Sequence, residues 1–181
     1  NGDHRIDSKD RVALGSAAPD FFGGFYTQFK YKGFALGAEF SYSKGNMAYN
    51  AVRNQLEGMN TLGNQSIAVL NRWSLDGQVT DMPRVQHNDP YRSTSFSERW
   101  LEDASYLRMK SVTLSYSFDK TVLNFFRSGT LYVSGENLLT ATKYLGLDPE
   151  FSYSYSETSQ GLDYAKMVQP KSVKFGVNLK F

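Results

Sequence analysis

Residues 172–181 read Ser-Val-Lys-Phe-Gly-Val-Asn-Leu-Lys-Phe and close the chain. Val173, Phe175, Val177, Leu179 and Phe181 share one face of an extended strand. Ser172, Lys174, Gly176, Asn178 and Lys180 share the other. Unbroken alternation over this length matches a tilted strand crossing a bilayer, apolar toward lipid and polar toward a lumen. A soluble sandwich strand can alternate too, but it rarely finishes on an exposed aromatic. The pattern therefore favours a membrane barrel over a soluble β-protein.

The hydrophobic share is 40% while aromatics reach 15%, with 12 Tyr and 13 Phe, which suits the aromatic girdles of a barrel. No apolar run is long enough for a membrane helix, and alternation explains how a membrane protein can lack one. Net charge is +2 with both signs interspersed, so no basic stripe suggests nucleic acid. There is no cysteine, hence no disulfide framework and no thiolate chemistry. The opening Asn-Gly-Asp-His-Arg is not a signal peptide, which reads as a mature end or as a piece of a longer protein.

Strands are expected near residues 24–31, 34–43, 104–118, 130–138 and 172–181. Lys32-Gly33 gives a tight hairpin turn between the first two. In the third, Leu107 and Met109 fall in register with the serines, which a bulge near the rim would explain. A short helix is expected over Ser66 to Trp73, with Ile67, Leu70 and Trp73 on one stripe. Residues 119–127 read as a brief connector of one helical turn. The connections alternate in length: short at 32–33 and 119–127, long at 44–103 and 139–169. Short turns at one end and long loops at the other are the topology of an outer-membrane barrel, with the long loops extracellular. About five strands cannot close such a barrel, and open edges are not tolerated in lipid. The fold class is therefore an all-β, antiparallel transmembrane barrel, of which residues 1–181 form the C-terminal portion.

Several segments together resemble the SusC/RagA family of TonB-dependent transporters. They are Asn1-Gly2-Asp3 through Asp10-Arg11, Pro19-Asp20-Phe21, Gly23-Gly24-Phe25, Tyr31-Lys32-Gly33-Phe34 and Gly45 to Asn50. Further on come Arg72-Trp73, Met82-Pro83-Arg84, Glu102 to Tyr116, Ser134 to Thr140 and Asp148-Pro149-Glu150. The resemblance implies a barrel of about 22 strands around a plug, in the outer membrane of a Gram-negative bacterium. It also implies energy from the TonB complex and a SusD-like surface lipoprotein as lid. The plug, the TonB-contacting segment and the rest of the barrel are not in this sequence. The terminal aromatic Phe181 is implied to be a signal for the insertion machinery.

Candidate site residues follow. Asn1, Asp3, Asp7 and Asp10 with the Arg5 carbonyl can be laid on a calcium loop, since Ca²⁺ takes hard oxygens at alternating positions. His4 stands where that loop needs glycine, and the competing reading is a turn-rich surface loop. No other cofactor is expected. Trp73, Trp100, Tyr91, Tyr153 and Tyr155 are loop aromatics that could stack on substrate or meet the lid protein; loop self-packing is the alternative. Arg72, Arg84, Arg92 and Arg99 are expected to pair with loop carboxylates such as Asp76, Asp81, Asp89 and Glu98. Glu39, Lys110, Glu136 and Lys174 should face the lumen, with Glu136 and Asn137 shaping its upper part.

His4 and His87 are the only histidines and lack a Ser/Asp context, while Glu102 and Asp103 point to opposite faces of a strand. No enzyme is read here. The expected function is the C-terminal barrel portion of an importer of oligosaccharides or oligopeptides. The competing class is a passive structural or adhesive barrel binding host or matrix ligands through its loops.

Overall fold

The computed structural model describes residues 8–90, 92–119, 127–150 and 159–180. Its frame is a five-stranded antiparallel sheet. In spatial order the strands are β1 (Phe21–Tyr31), β2 (Phe34–Lys44), β5 (Tyr106–Asp119), β6 (Ser128–Thr142) and β8 (Ser172–Lys180). A second, three-stranded sheet joins β3 (Met47–Asn50), β4 (Leu101–Asp103) and β7 (Leu162–Asp163), with the helix α1 (Ala51–Glu57) following β3. Residues 44–103 show no strand in sequence, because the three- and four-residue strands β4 and β3 carry too little periodicity.

Lys32 and Gly33 both take positive φ, 44° and 86°, closing the β1–β2 hairpin in the turn form that matches strand twist. From there the register runs unbroken to Phe21↔Lys44. In β5 the pairing slips at Lys110, and β6 carries its own extra residue at Asn137–Leu138. The slip moves Leu107 and Met109 onto the face of Val112 and Leu114, as the bulge expectation required. Asn137 holds φ at 53°, a left-handed conformation that Asn tolerates better than most residues.

Cross-strand rows define two faces. One row runs Phe29, Leu36, Leu114, Val133, Phe175; the next runs Tyr31, Phe34, Tyr116, Leu131, Val177. On the opposite face the rows are Gln28, Gly37, Thr113, Ser134, Lys174 and Tyr26, Glu39, Ser111, Glu136, Ser172. A soluble sheet would bury the first face. Here Phe29 is 68% exposed, Leu114 46% and Phe175 81%. An apolar face this continuous belongs against lipid. The buried clusters lie in the loops instead: Ala48, Ala104 and Tyr144 in one, Met59, Val69 and Met82 in another. Among the described residues, the outer strands β1 and β8 each have one hydrogen-bonding edge without a partner strand, an arrangement that lipid does not tolerate in an isolated sheet.

The expected helix over 66–73 is a 3₁₀ turn, Ile67–Asn71, capped by Ser66 through its hydroxyl to the Ala68 N–H. Its buried residue is Val69, while Ile67 and Leu70 are 83% and 73% exposed, so the apolar stripe turns outward. The helical pattern failed because Val69, between the stripe residues, packs on Met59 and Met82.

The two faces make opposite predictions for the same charge. Leu114→Arg places a guanidinium in the lipid band and should cost about 2–4 kcal/mol. Ser115→Arg enters the polar side and should leave assembly unchanged. Heat-modifiable migration of the full-length barrel reads both, and equal loss from the two would reverse the assignment of faces.

Candidate functional site

The polar face of the sheet and the loops above it form a surface with chemistry suited to a hydrophilic solute. Its wall is lined by serine, threonine and glutamine, crossed by the pair Lys174–Glu136 at 2.5 Å, with Ser172 donating to the same carboxylate at 2.9 Å. This pair is open to solvent and worth little to stability. Ser111 donates to Glu39 at 3.3 Å one strand pair away. Tyr26 and Tyr132 lie over Gly37 and Gly176, where an added Cβ would come within 2.7 and 2.2 Å of the rings' atoms. The glycines therefore make room for two tyrosines flattened on this wall.

At the upper end the second long loop folds onto this wall. Arg108, on β5 and 3% exposed, donates to Asp148 and lies 3.2 Å from Glu150. Lys110, at the bulge, donates to both oxygens of Glu150 at 2.7 and 2.6 Å. Burial by itself would raise the Asp148 carboxyl, but the Arg108 hydrogen bond and charge outweigh it and hold it below its usual range. Asp148 also accepts from the N–H groups of Glu150 and Gln169. The four charges thus tie both ends of the second long loop to one strand. A cavity of about 220 Å³ lies beside them, lined by Leu147, Asp148, Glu150, Asp163, Lys166 and Gln169.

A second polar knot holds the first long loop. Glu102 accepts from Asn50 at 3.3 Å, Arg53 at 2.8 Å and the Leu145 N–H at 2.9 Å. Arg53 also bonds Glu57 at 2.9 Å. These bonds raise the guanidinium pKa against the burial that opposes them. Tyr144 donates to Asp163 at 2.5 Å, and burial, then that carboxylate, push its phenol up. Loops one and two are therefore joined through Glu102 and Leu145. Farther out, Asp89 accepts from the N–H and hydroxyl groups of Ser93 and Thr94. Burial opposes these bonds, yet they bring its pKa down to about 2.

The expected site residues fare unequally. Trp100 is corrected: it is fully buried, with Arg53 5.5 Å and Arg99 5.0 Å from the ring, and offers no free face to a sugar or a lid. Trp73 is half-buried under Arg84, 5.8 Å from its ring. Two of the loop arginines bond groups other than side-chain carboxylates. Arg72 donates to the Val69 carbonyl, and Arg99 donates to the Asp81 carbonyl and the Met82 sulfur. Glu136 stands on the polar face, and Asn137 donates from the bulge to the Pro170 carbonyl at 3.2 Å. Asp10 ends a single 3₁₀ turn, Ser8–Asp10. Asn1, Asp3, Arg5, Asp7, Tyr91, Tyr153, Tyr155 and Phe181 lie outside the described residues. The opposite orientations expected for Glu102 and Asp103 hold: Glu102 is buried in the knot, and Asp103 accepts from Ser105. The buried clamp at Arg108 was missed, although Asp148-Pro149-Glu150 and Arg108 both stood in segments singled out for resemblance.

A two-faced antiparallel sheet with its long connections at one end and a loop clamped onto the polar face is a stretch of outer-membrane-type barrel wall. Known proteins give the same class. The chain is 33% identical to the TonB-dependent receptor P3 of Formosa agariphila over all of this chain and 18% of that protein. It is 25% identical to the TonB-dependent receptor SusC of Bacteroides thetaiotaomicron over all of this chain and 17% of that protein. Among solved structures it matches the RagAB peptide transporter with a TM-score of 0.79 and 29% identity, covering 98% of this chain and 19% of that one. The open-open state of the RagAB peptide importer matches at 0.73 and 30%, covering 92% and 18%. No family model matches the chain. The chain is a SusC/RagA-like segment of a TonB-dependent receptor, and it spans about a fifth of the length of the relatives it matches.

Proposed function

We propose that this segment supplies wall and extracellular loops to an outer-membrane importer of large hydrophilic nutrients, oligopeptides or oligosaccharides. The observation that carries this reading is the clamping of the second long loop onto the polar face, with the first long loop joined to it. Arg108 holds the second loop to the wall, and Glu102 ties the first loop to it through the Leu145 N–H. A passive adhesive barrel would instead project its loops outward, and the relatives are named as receptors and a peptide importer. Energy would come through TonB and a plug encoded elsewhere in the whole protein, and a SusD-like lipoprotein would cover the loops. Uptake by cells carrying the full-length receptor tests this. Import of a fluorescent peptide or glycan library should require both the receptor and TonB. Binding without TonB-dependent import would leave only the adhesive barrel.

Residues 61–80 are the best candidate for meeting the lid, because Leu62, Leu75 and Val79 are 98%, 71% and 99% exposed there. Excising that stretch should weaken lid association about tenfold or more, the effect of losing one or two hot-spot side chains. The strands, held by their own ladder, should keep normal heat-modifiable migration. Unchanged lid affinity would move the contact to another loop.

A further inference from the structure

An open groove of about 520 Å³ lies at the upper rim of the apolar face, closed above by the rim residues Asp103 and Ser105. Tyr42, Leu107 and Ala141 form its floor, from three successive strands in one register row. Phe21 walls one side. Lys44 and Lys143 stand at its margin, both exposed, with Asp103 as the lone carboxylate in the lining. Lys44 is 3.8 Å from Asp103, an open pair worth little. The Ser105 hydroxyl already donates to that carboxylate and is the first cause of its lowered pKa, ahead of both lysines. The two ammonium groups are therefore only partly compensated.

Depth places the groove. From Phe118 to Leu107, less the bulged residue, β5 covers about 33 Å along the strand, or about 23 Å of depth at a 45° tilt. The apolar band of an outer-membrane barrel is about 25 Å tall. Leu107 thus sits at the outer boundary of the hydrocarbon, and Lys44 sits two residues above Tyr42 on the same face, at headgroup level.

We propose that this groove binds one phosphate-bearing lipid of the outer leaflet, its headgroup between Lys44 and Lys143 and an acyl chain along Tyr42, Leu107 and Ala141. The inference rests on the assignment of this face to lipid, made above. An apolar floor with paired cations at its upper lip fits no neutral lipid better than an anionic one. Its position on the outside of the wall also keeps it out of the import path.

Native mass spectrometry of the full-length receptor, released from vesicles of phosphatidylcholine doped with phosphatidylglycerol, tests it. The wild type should retain phosphatidylglycerol in preference to phosphatidylcholine. Lys44→Gln with Lys143→Gln should bind phosphatidylglycerol about 30-fold more weakly, the worth of two cations at a membrane surface. Lys44→Arg with Lys143→Arg should restore it, which separates lost charge from lost folding. Equal retention of both lipids by wild type and Gln variant would overturn the headgroup site while leaving the lipid-facing assignment intact. Failure to retain any lipid, with Leu114→Arg assembling normally, would overturn that assignment as well. Displacement of the lipid by millimolar inorganic phosphate alone would reduce the site to a simple anion contact and overturn the proposal.

Discussion

Asp148→Ala should free the second long loop from the barrel wall while leaving the strands in place. The substitution strands the Arg108 guanidinium, which is 3% exposed. Removing one partner of a buried pair typically costs about 3–5 kcal/mol. Glu150 remains 3.2 Å from Arg108 and takes up part of the charge, so the lower end, about 3 kcal/mol, is expected. Limited proteolysis should cut residues 143–169 of the variant far sooner than those of the wild type, with unchanged heat-modifiable migration. Arg108→Met combined with Asp148→Leu should recover much of the loss, because an apolar pair of similar volume leaves no buried charge unpaired. A double variant as protease-sensitive as Asp148→Ala would show that the loop is held by something other than this clamp.

The same clamp sets a pH dependence of known sign. Asp148 is held below its usual range in the folded protein, so it binds protons more weakly there than in the unfolded chain. Its contribution is complete above the unfolded carboxylate value of about 4. It is lost as pH falls through the depressed folded value. Loop protection in hydrogen exchange should therefore be flat through neutral pH and fall only in strong acid. Loss of protection between neutral pH and about 5 would have to come from another group.

The five strands of the main sheet were legible because each faces two different solvents, and two solvents impose a period of two. β1 and β6 run longer than their alternation suggested, beginning at Phe21 and ending at Thr142. At Phe21–Gly24, and beyond the bulge at Asn137, the side chains no longer alternate cleanly in polarity. The bulge could be anticipated from Leu107 and Met109, since lipid will not accept a serine row that suddenly turns apolar. The loops obey no such period. Arg108 reaches the polar wall only through the bulge, and nothing within its own strand says that a carboxylate forty residues later will cover it. Loop aromatics are ambiguous for the same reason. Trp73 and Trp100 look alike in sequence, yet one is partly covered and the other is wholly enclosed.

Trp100→Ala should be the most damaging single change in the loops. The ring is fully buried at the foot of β4, between the Arg53 and Arg99 guanidinium groups. Deleting it leaves a cavity and removes the surface on which both cations rest, a loss of about 3–5 kcal/mol. Arg53 is also the donor that joins Glu57 to Glu102, and Glu102 holds Leu145 of the second loop. The damage should therefore spread, with increased hydrogen exchange in α1 and around Leu145 as well as at residue 100. Trp100→Phe separates volume from polarity. The indole N–H is buried with no hydrogen-bond partner among the described residues, so phenylalanine loses no bond and keeps most of the packing. That variant should cost about 1.5 kcal/mol or less and leave exchange near Leu145 at wild-type levels. If phenylalanine proves as harmful as alanine, the indole nitrogen has a partner in the complete barrel, and the ring is part of a polar contact rather than a packing core.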